Sequence, residues 1–215
     1  MKSYVITIEA LPGSVESAKR CIESFKPDYD VEMFSAITPN HNPFYIAKEK
    51  NIPTEKFYEK YSRVENCLSA FLSHFSLWEQ CAESNEEYQI FEHDAVCVNV
   101  LPKYLPYKGC ISFGAPSYGK FVTPITLGVN SLTSKNYFPG AHAYRLKPNA
   151  AKVLVERAKI DACPTDVFLH KERFPWLEEF YPWAVVAKDT FTTIQKLDGC
   201  VSKHNYKGGY KIVKL

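Results

Sequence analysis

The stretch ENCLSAFLSHFSLWEQCAESNEEYQIFEHDAV, Glu65 to Val96, decides how the rest of the chain is read. Leu68, Phe71, Leu72, Phe75, Trp78 and Ala82 fall on one stripe of a helix. The polar turn Ser84-Asn85-Glu86-Glu87 breaks that period. Tyr88 to Phe91 is then a short apolar run of the kind that forms a buried strand. It ends abruptly in Glu92-His93-Asp94, and apolar residues resume at Ala95-Val96. Charged side chains are rarely buried unless they are paired or bind a metal, so the end of this strand is the first place to look for a site.

Upstream, Ser62-Arg63-Val64-Glu65 has the spacing of a capping box, with Ser62 accepting from the Glu65 backbone N–H. Tyr4 to Ile8 is rich in β-branched residues and reads as a first strand, broken by Pro12-Gly13. Val15, Ala18, Ile22 and Phe25 line one helix face, and Val31 to Ser35 reads as a second strand. Strand, helix and strand in this space form a βαβ unit, the building block of parallel sheets. Thr38 to Tyr61 has no clean period and reads as a long loop with a short helix over Tyr45 to Lys50. Its aromatic residues argue against disorder, and long ordered loops tend to serve function.

Downstream, Gly109 to Ala115 and Ala141 to Leu146 are strand candidates, separated by an irregular Gly/Pro/Ser/Thr-rich stretch over Ala115 to Phe138. Pro148 suits the first turn of a helix whose inner face carries Ala151, Leu154 and Ala158. From Lys196 the chain turns polar and Lys-rich. The expected organisation is one α/β domain over residues 1–195 and a tail or flap over 196–215, with no internal repeat.

With 215 residues, 46% of them hydrophobic and 14% aromatic, the chain has enough apolar surface for one substantial core. A net charge of +2 gives no molecule-wide field for nucleic acid. Seven scattered cysteines without a CxxC pair point away from a zinc ribbon or a thioredoxin-type centre and toward a reducing compartment. The opening MKSYVITIEALPG is too short in apolar residues for a signal peptide, and no run approaches the ~18 apolar residues of a membrane span. A cytoplasmic location, in a bacterium or a virus-infected host, is the expectation.

In open α/β sheets ligands bind outside the carboxyl ends of the strands. If the strand continues through Asp94, Glu92 and Asp94 share a face and His93 points away. Two converging carboxylates repel unless a cation or proton lies between them. Mg²⁺ or Mn²⁺ suits such oxygen ligands and brings substrate phosphates with it. The bland alternative, a solvated turn after a strand, stays open on spacing alone.

The helix–strand block resembles the core signature of glycosyltransferase family 25, which includes lipopolysaccharide and collagen galactosyltransferases. Asn66-Cys67, Leu72-Ser73-His74, Leu77-Trp78 and Glu92-His93-Asp94-Ala95 occupy the places of that signature. YVITIEALPGSVESAKR, FSAITP, PGAHAYRLKPNAAKVLVERA and CPTDVFL resemble further blocks, so the likeness runs over roughly Lys2 to Gln195. One residue departs: the family's middle Asp is His93, giving E-x-D in place of E-D-D.

The resemblance implies a GT-A fold, a Rossmann-like, mostly parallel sheet flanked by helices. It also implies inverting transfer of a sugar from a nucleotide donor, usually a UDP-sugar, to an acceptor hydroxyl. A metal, Mn²⁺ or Mg²⁺, on Asp94 and Glu92 would neutralise the departing diphosphate, with His204 as a possible third ligand. Asp166 is the candidate base for the acceptor hydroxyl; its other reading is the N-cap of a helix over Val167 to Glu172. Ile8, Glu9, Ser73, His74, Glu92 and His142 are candidates for holding the donor, with Tyr144 on the same late strand as His142. A glycan is the favoured acceptor and a modified DNA base a second one. Two other classes remain: a silent glycosyltransferase-like binding module, which His93 would favour, and a metal-dependent phosphate hydrolase.

Overall fold

The computed structural model describes residues 1–59, 62–117, 119–188, 191–196, 211–213 and 215. The chain runs β1 (Lys2–Thr7), α1 (Pro12–Phe25), β2 (Glu32–Ser35), α2 (Pro43–Glu49), α3 (Val64–Glu83), β3 (Tyr88–Glu92) and β4 (Ala95–Cys97). It continues through β5 (Cys110–Ser112), β6 (Gly128–Ser131), β7 (Ala143–Leu146), α4 (Pro148–Asp161) and α5 (Thr165–Phe168). It closes with β8 (Leu177–Tyr181), β9 (Val185–Ala187), β10 (Phe191–Thr192) and β11 (Lys211–Ile212).

Seven strands form one sheet in the order β2-β1-β3-β7-β5-β8-β6. β1 pairs in parallel with β2 and β3, and β5 with β8, while β7 and β6 run the other way. The sheet is therefore mostly parallel and flanked by helices, a Rossmann-like arrangement compatible with a GT-A fold. The five co-directional strands end at one edge, which β7 enters at His142. The expected βαβ opening is present, and Pro12 and Pro148 sit in the first turns of α1 and α4, where a missing N–H costs nothing.

Two apolar layers cover the sheet. On one face Val5, Phe91, Ile111 and Ala143 pack against Ala18, Cys21 and Phe25 of α1. On the other, Tyr88, Ile90, Tyr144 and Leu146 meet Phe71, Phe75 and Trp78 of α3 and Leu154 and Ala158 of α4. β3 is buried on both faces, which is why its sequence is a continuous apolar run rather than an alternating one.

Three local expectations need correction. The capping box does not form: Arg63 holds the N-cap position, its carbonyl accepting the first helical bond from Cys67 and its own N–H donating to Ile194 O. Ser62 lies outside the helix, bridged to Gln195, and its hydroxyl donates to Glu59. Asp166 is not an N-cap either; Pro164 takes that place, and α5 ends at Phe168. Third, β3 stops at Glu92, and His93-Asp94 turn the chain into β4, so strand alternation does not carry Asp94 onto the face of Glu92. Part of the anticipated tail returns to the body, Lys211–Ile212 pairing with Phe191–Thr192.

Candidate active site

Glu92 shares its face of β3 with Ile90 and Tyr88, the face that meets α3. His74, at the middle of α3, is 1% exposed and places Nε2 3.3 Å from Glu92 Oε1. Its Nδ1 lies 2.9 Å from the hydroxyl of Tyr144, which stands opposite Ile90 in the β3–β7 register. Trp78, one turn further along α3, donates its indole N–H to the same hydroxyl at 2.8 Å.

These three contacts fix the protons. The Tyr144 oxygen accepts from Trp78, and its single hydrogen is directed at His74 Nδ1. The imidazole therefore carries its proton on Nε2 and donates it to the Glu92 carboxylate; the other tautomer would set two acceptors face to face. Burial of the ring pushes its pKa down from 6.5 to about 3, against the opposing pull of the Asp166 charge, so His74 is neutral at physiological pH. The result is a dry chain, Trp78 to Tyr144 to His74 to Glu92, that ends in a partly exposed carboxylate at the carboxyl edge of the sheet. Glu92's own N–H donates to His142 O.

Asp166 enters from α5, its Oδ1 accepting from the Val167 N–H at 2.8 Å. Its charge acts on both His74 and Cys67, which puts it beside the N-terminal half of α3, on the same face of the sheet as Glu92. Ser73 is fully buried; its hydroxyl donates to Ser69 O and accepts from Ile37 N–H, fastening the loop after β2 to α3. It shapes the wall of the site through that loop.

Asp94 lies in the turn that follows β3. Its backbone carbonyl accepts from Lys188 N–H, and its charge, after burial, contributes to raising the pKa of the Cys21 thiol on α1. His93 is taken up by packing: its ring stacks on Phe191, centroids 5.3 Å apart and planes within 8°. Phe191 in turn covers Gly13, where an added Cβ would lie 3.4 Å from its ring. Ile8 and Glu9 form the turn between β1 and α1 at this edge, with Ile8 N–H donating to Ser14 Oγ. His142 is wedged between glycines: a Cβ at position 114 would come within 2.5 Å of its Nε2, and one at 140 within 3.2 Å of its Nδ1. Only glycine leaves room for the ring there. His204 lies outside the described residues.

A cleft of about 370 Å³ opens at the start of α3, lined by Arg63, Val64, Glu65, Asn66 and Leu215. Asn66 Nδ2 is buried there with no hydrogen-bond partner among the described residues. Arg63 Nη1 donates to the carbonyls of Thr193 and Val213, pinning the returning chain beside the cleft. At 1.5 Å per residue the cleft lies roughly 12 Å along α3 from His74, on the Asp166 side. Neither this cleft nor the Tyr144 junction could be read from periodicity, which marks Asn66 and Tyr144 only as members of a helix and a strand.

The donor set suits a hard cation. Glu92 and Asp94 offer only oxygen, and Mg²⁺ or Mn²⁺ in nucleotide sites takes one or two carboxylates and completes its shell with phosphate and water. Among the described residues no three His, Cys, Asp or Glu side chains gather into a metal-binding group.

Residues 2–108, about half of the chain, match the family model described as glycosyltransferase family 25 (LPS biosynthesis protein). The match contains α3, β3 and the Glu92-His93-Asp94 end. No curated protein matches the chain.

Proposed function

Since the chain belongs to glycosyltransferase family 25, we propose that it transfers a sugar, with inversion, from a UDP-sugar bound at the carboxyl edge of β1 and β3 to a hydroxyl of a glycan acceptor. The observation that carries this reading is the buried hydrogen-bond chain that delivers Glu92 to that edge. Such a chain is costly to bury and serves to aim one carboxylate.

Each residue then has a task. His74, neutral and locked in one tautomer, donates to Glu92 and fixes its direction. Glu92 and Asp94 would hold Mg²⁺ or Mn²⁺; when bound, that ion neutralises the charge developing on the departing diphosphate. Ile8 and Glu9, in the β1–α1 turn, border the nucleotide, and His142 closes the floor beneath the sugar. Asp166 lies on the cleft side and is the base that takes the proton of the attacking acceptor hydroxyl. The cleft beside Arg63, Glu65 and Asn66 gives the acceptor a polar wall.

The test is a transfer and donor-hydrolysis assay across UDP-sugars with glycan acceptors, on wild type, Glu92→Gln and Asp166→Asn. The reading expects Asp166→Asn to lose transfer while retaining donor binding. Retained transfer in both variants would refute the assigned roles. A second reading, binding without transfer, is favoured by His93, which stacks on Phe191 where the family resemblance places a third carboxylate. Donor binding in wild type with neither transfer nor hydrolysis would select it.

A further inference from the structure

Arg173 lies beyond α5 and reaches back to it. Its Nη1 donates to the carbonyl of Val167 at 2.7 Å, and its Nε donates to Asp161 Oδ2, at the end of α4, at 2.9 Å. The centre of the guanidinium also sits 5.8 Å from the centroid of the Phe168 ring. A guanidinium presents its donors in a rigid fork, so holding two partners at once fixes the geometry between them. One side chain thus ties the end of α4 to the single turn of α5.

Val167 carries this grip to the candidate base. Its N–H donates to Asp166 Oδ1 at 2.8 Å, while its C=O is held by Arg173. The peptide before Val167 aims the Asp166 carboxylate, and the peptide after it is fixed by the guanidinium. Each peptide is planar, so turning residue 167 moves both.

The frame under α5 is shared with the strand-end site. Phe168 is fully buried; its ring stacks on Trp78 at 5.4 Å, planes within 19°, and meets Phe71 edge-on at 5.5 Å. Trp78 is also the residue that donates to Tyr144 at the head of the chain ending in Glu92. The Glu92 and Asp166 arms therefore rest on one indole. Asp161 in turn is gripped from a third segment, by the Lys56 ammonium from the loop ahead of α3. Hydrogen bonds from Lys56 and Arg173 hold its carboxyl at about 2, so this anchor is charged throughout the neutral range.

Ion pairs near the surface contribute little to stability by themselves, and a pair serving stability alone would not need to reach the carbonyl beside Asp166. We propose that Arg173, anchored on Asp161, is a positioning residue that aims the Asp166 carboxylate at the acceptor hydroxyl. This rests on the reading of Asp166 as the base and adds how that base is held.

The experiment has two arms, on Arg173→Gln, Arg173→Lys and Arg157→Gln. The last is the control: Arg157 reaches the same Asp161 carboxylate at 3.4 Å, but from within α4. The first arm is NMR of the full chain with isotopically labelled aspartate carboxyls, the Asp166 signal being identified with Asp166→Asn. It needs no activity. That signal should move in both Arg173 variants, because an ammonium does not reproduce the fork, and stay in place in Arg157→Gln. The lysine variant keeps a charge facing Asp161 and covers the case in which the glutamine variant does not fold. The second arm is steady-state transfer. In both Arg173 variants kcat should fall about tenfold to a hundredfold with the donor KM unchanged, and Arg157→Gln should match wild type. An unmoved Asp166 signal overturns the proposal, as does a moved signal with kcat intact, or an equal loss in Arg157→Gln. A wild type that transfers no sugar refutes the acceptor-base reading instead, and the NMR arm then decides the Arg173–Asp166 coupling by itself.

Discussion

Glu92 faces the α3 layer, where a fully buried imidazole donates to it and a tyrosine and a tryptophan hold that imidazole. Asp94, two residues later, sits past the strand in a turn whose charge is felt on α1. The spacing suggests an equivalent pair, but the fold does not supply one. Glu92 has its direction set by side chains from two elements, whereas Asp94 takes its place from a backbone turn tied to Lys188 and a neighbouring ring stack. A carboxylate held by a dry network is fixed before substrate arrives.

The largest effect expected from this contrast is on transfer. Glu92→Gln still accepts from His74 but loses its charge, and Asp94→Asn loses charge at the turn. Each should lower kcat/KM about a hundredfold to a thousandfold, measured with the preferred donor. If Glu92→Gln transfers normally while Asp94→Asn is dead, the fixed carboxylate is not the working one.

Acid stability follows next. Because the folded pKa of His74 is about 3 and its ordinary value is 6.5, the unfolded chain binds a proton that the folded chain refuses across that window. The stability from a neutral His74 is whole above pH 6.5 and is lost as pH falls toward 3, an effect on the order of a few kcal/mol. Asp161, held at about 2 by hydrogen bonds from Lys56 and Arg173, adds loss of the same sign at lower pH. Urea unfolding at pH 7 and pH 4.5 measures it, and His74→Gln should flatten the slope between them.

Tyr144→Phe removes the junction itself, leaving the Trp78 N–H and His74 Nδ1 unpaired in the core. A cost of about 2–6 kcal/mol is expected, from ~1–3 kcal/mol for each of the two orphaned groups. Unchanged stability would mean the network aims nothing. The smallest effect belongs to His93→Asp, which gives up the stack on Phe191 at a cost of about 0.5–1 kcal/mol. It should tighten Mn²⁺ binding, read by titration calorimetry in the presence of UDP.

Much of the Glu92 side was legible in the sequence. The stripe from Leu68 to Ala82 placed His74 on a buried helix flank, and the apolar run at Tyr88 placed Glu92 at a strand end. In the far half of the sheet β5 and β7 were legible as strands but β6 and β8 were not, for a physical reason. β8 carries Glu178 and Glu179, both buried, because loop N–H groups supply hydrogen bonds that a charge pattern cannot reveal. β7 likewise hides Arg145, which is 1% exposed and donates to Gln89 and to the carbonyls of Pro102 and Lys103. The turn at Asp94 stayed open in the sequence, since alternation holds only while the strand lasts. The failed capping box shows the same rule at a helix start, where Ile194, distant in sequence, claims the Arg63 N–H.

The most direct test of the claim that this strand end holds a nucleotide through a cation is thermal unfolding with UDP, with and without Mn²⁺, on wild type and Asp94→Asn. Ligand at about a hundred times its dissociation constant adds roughly 2.7 kcal/mol, about 5–10 °C for a chain of this length. A Mn²⁺-dependent rise of that size in wild type, absent in Asp94→Asn, is the expected result. No rise with UDP, or an equal rise in both proteins with and without Mn²⁺, would contradict it.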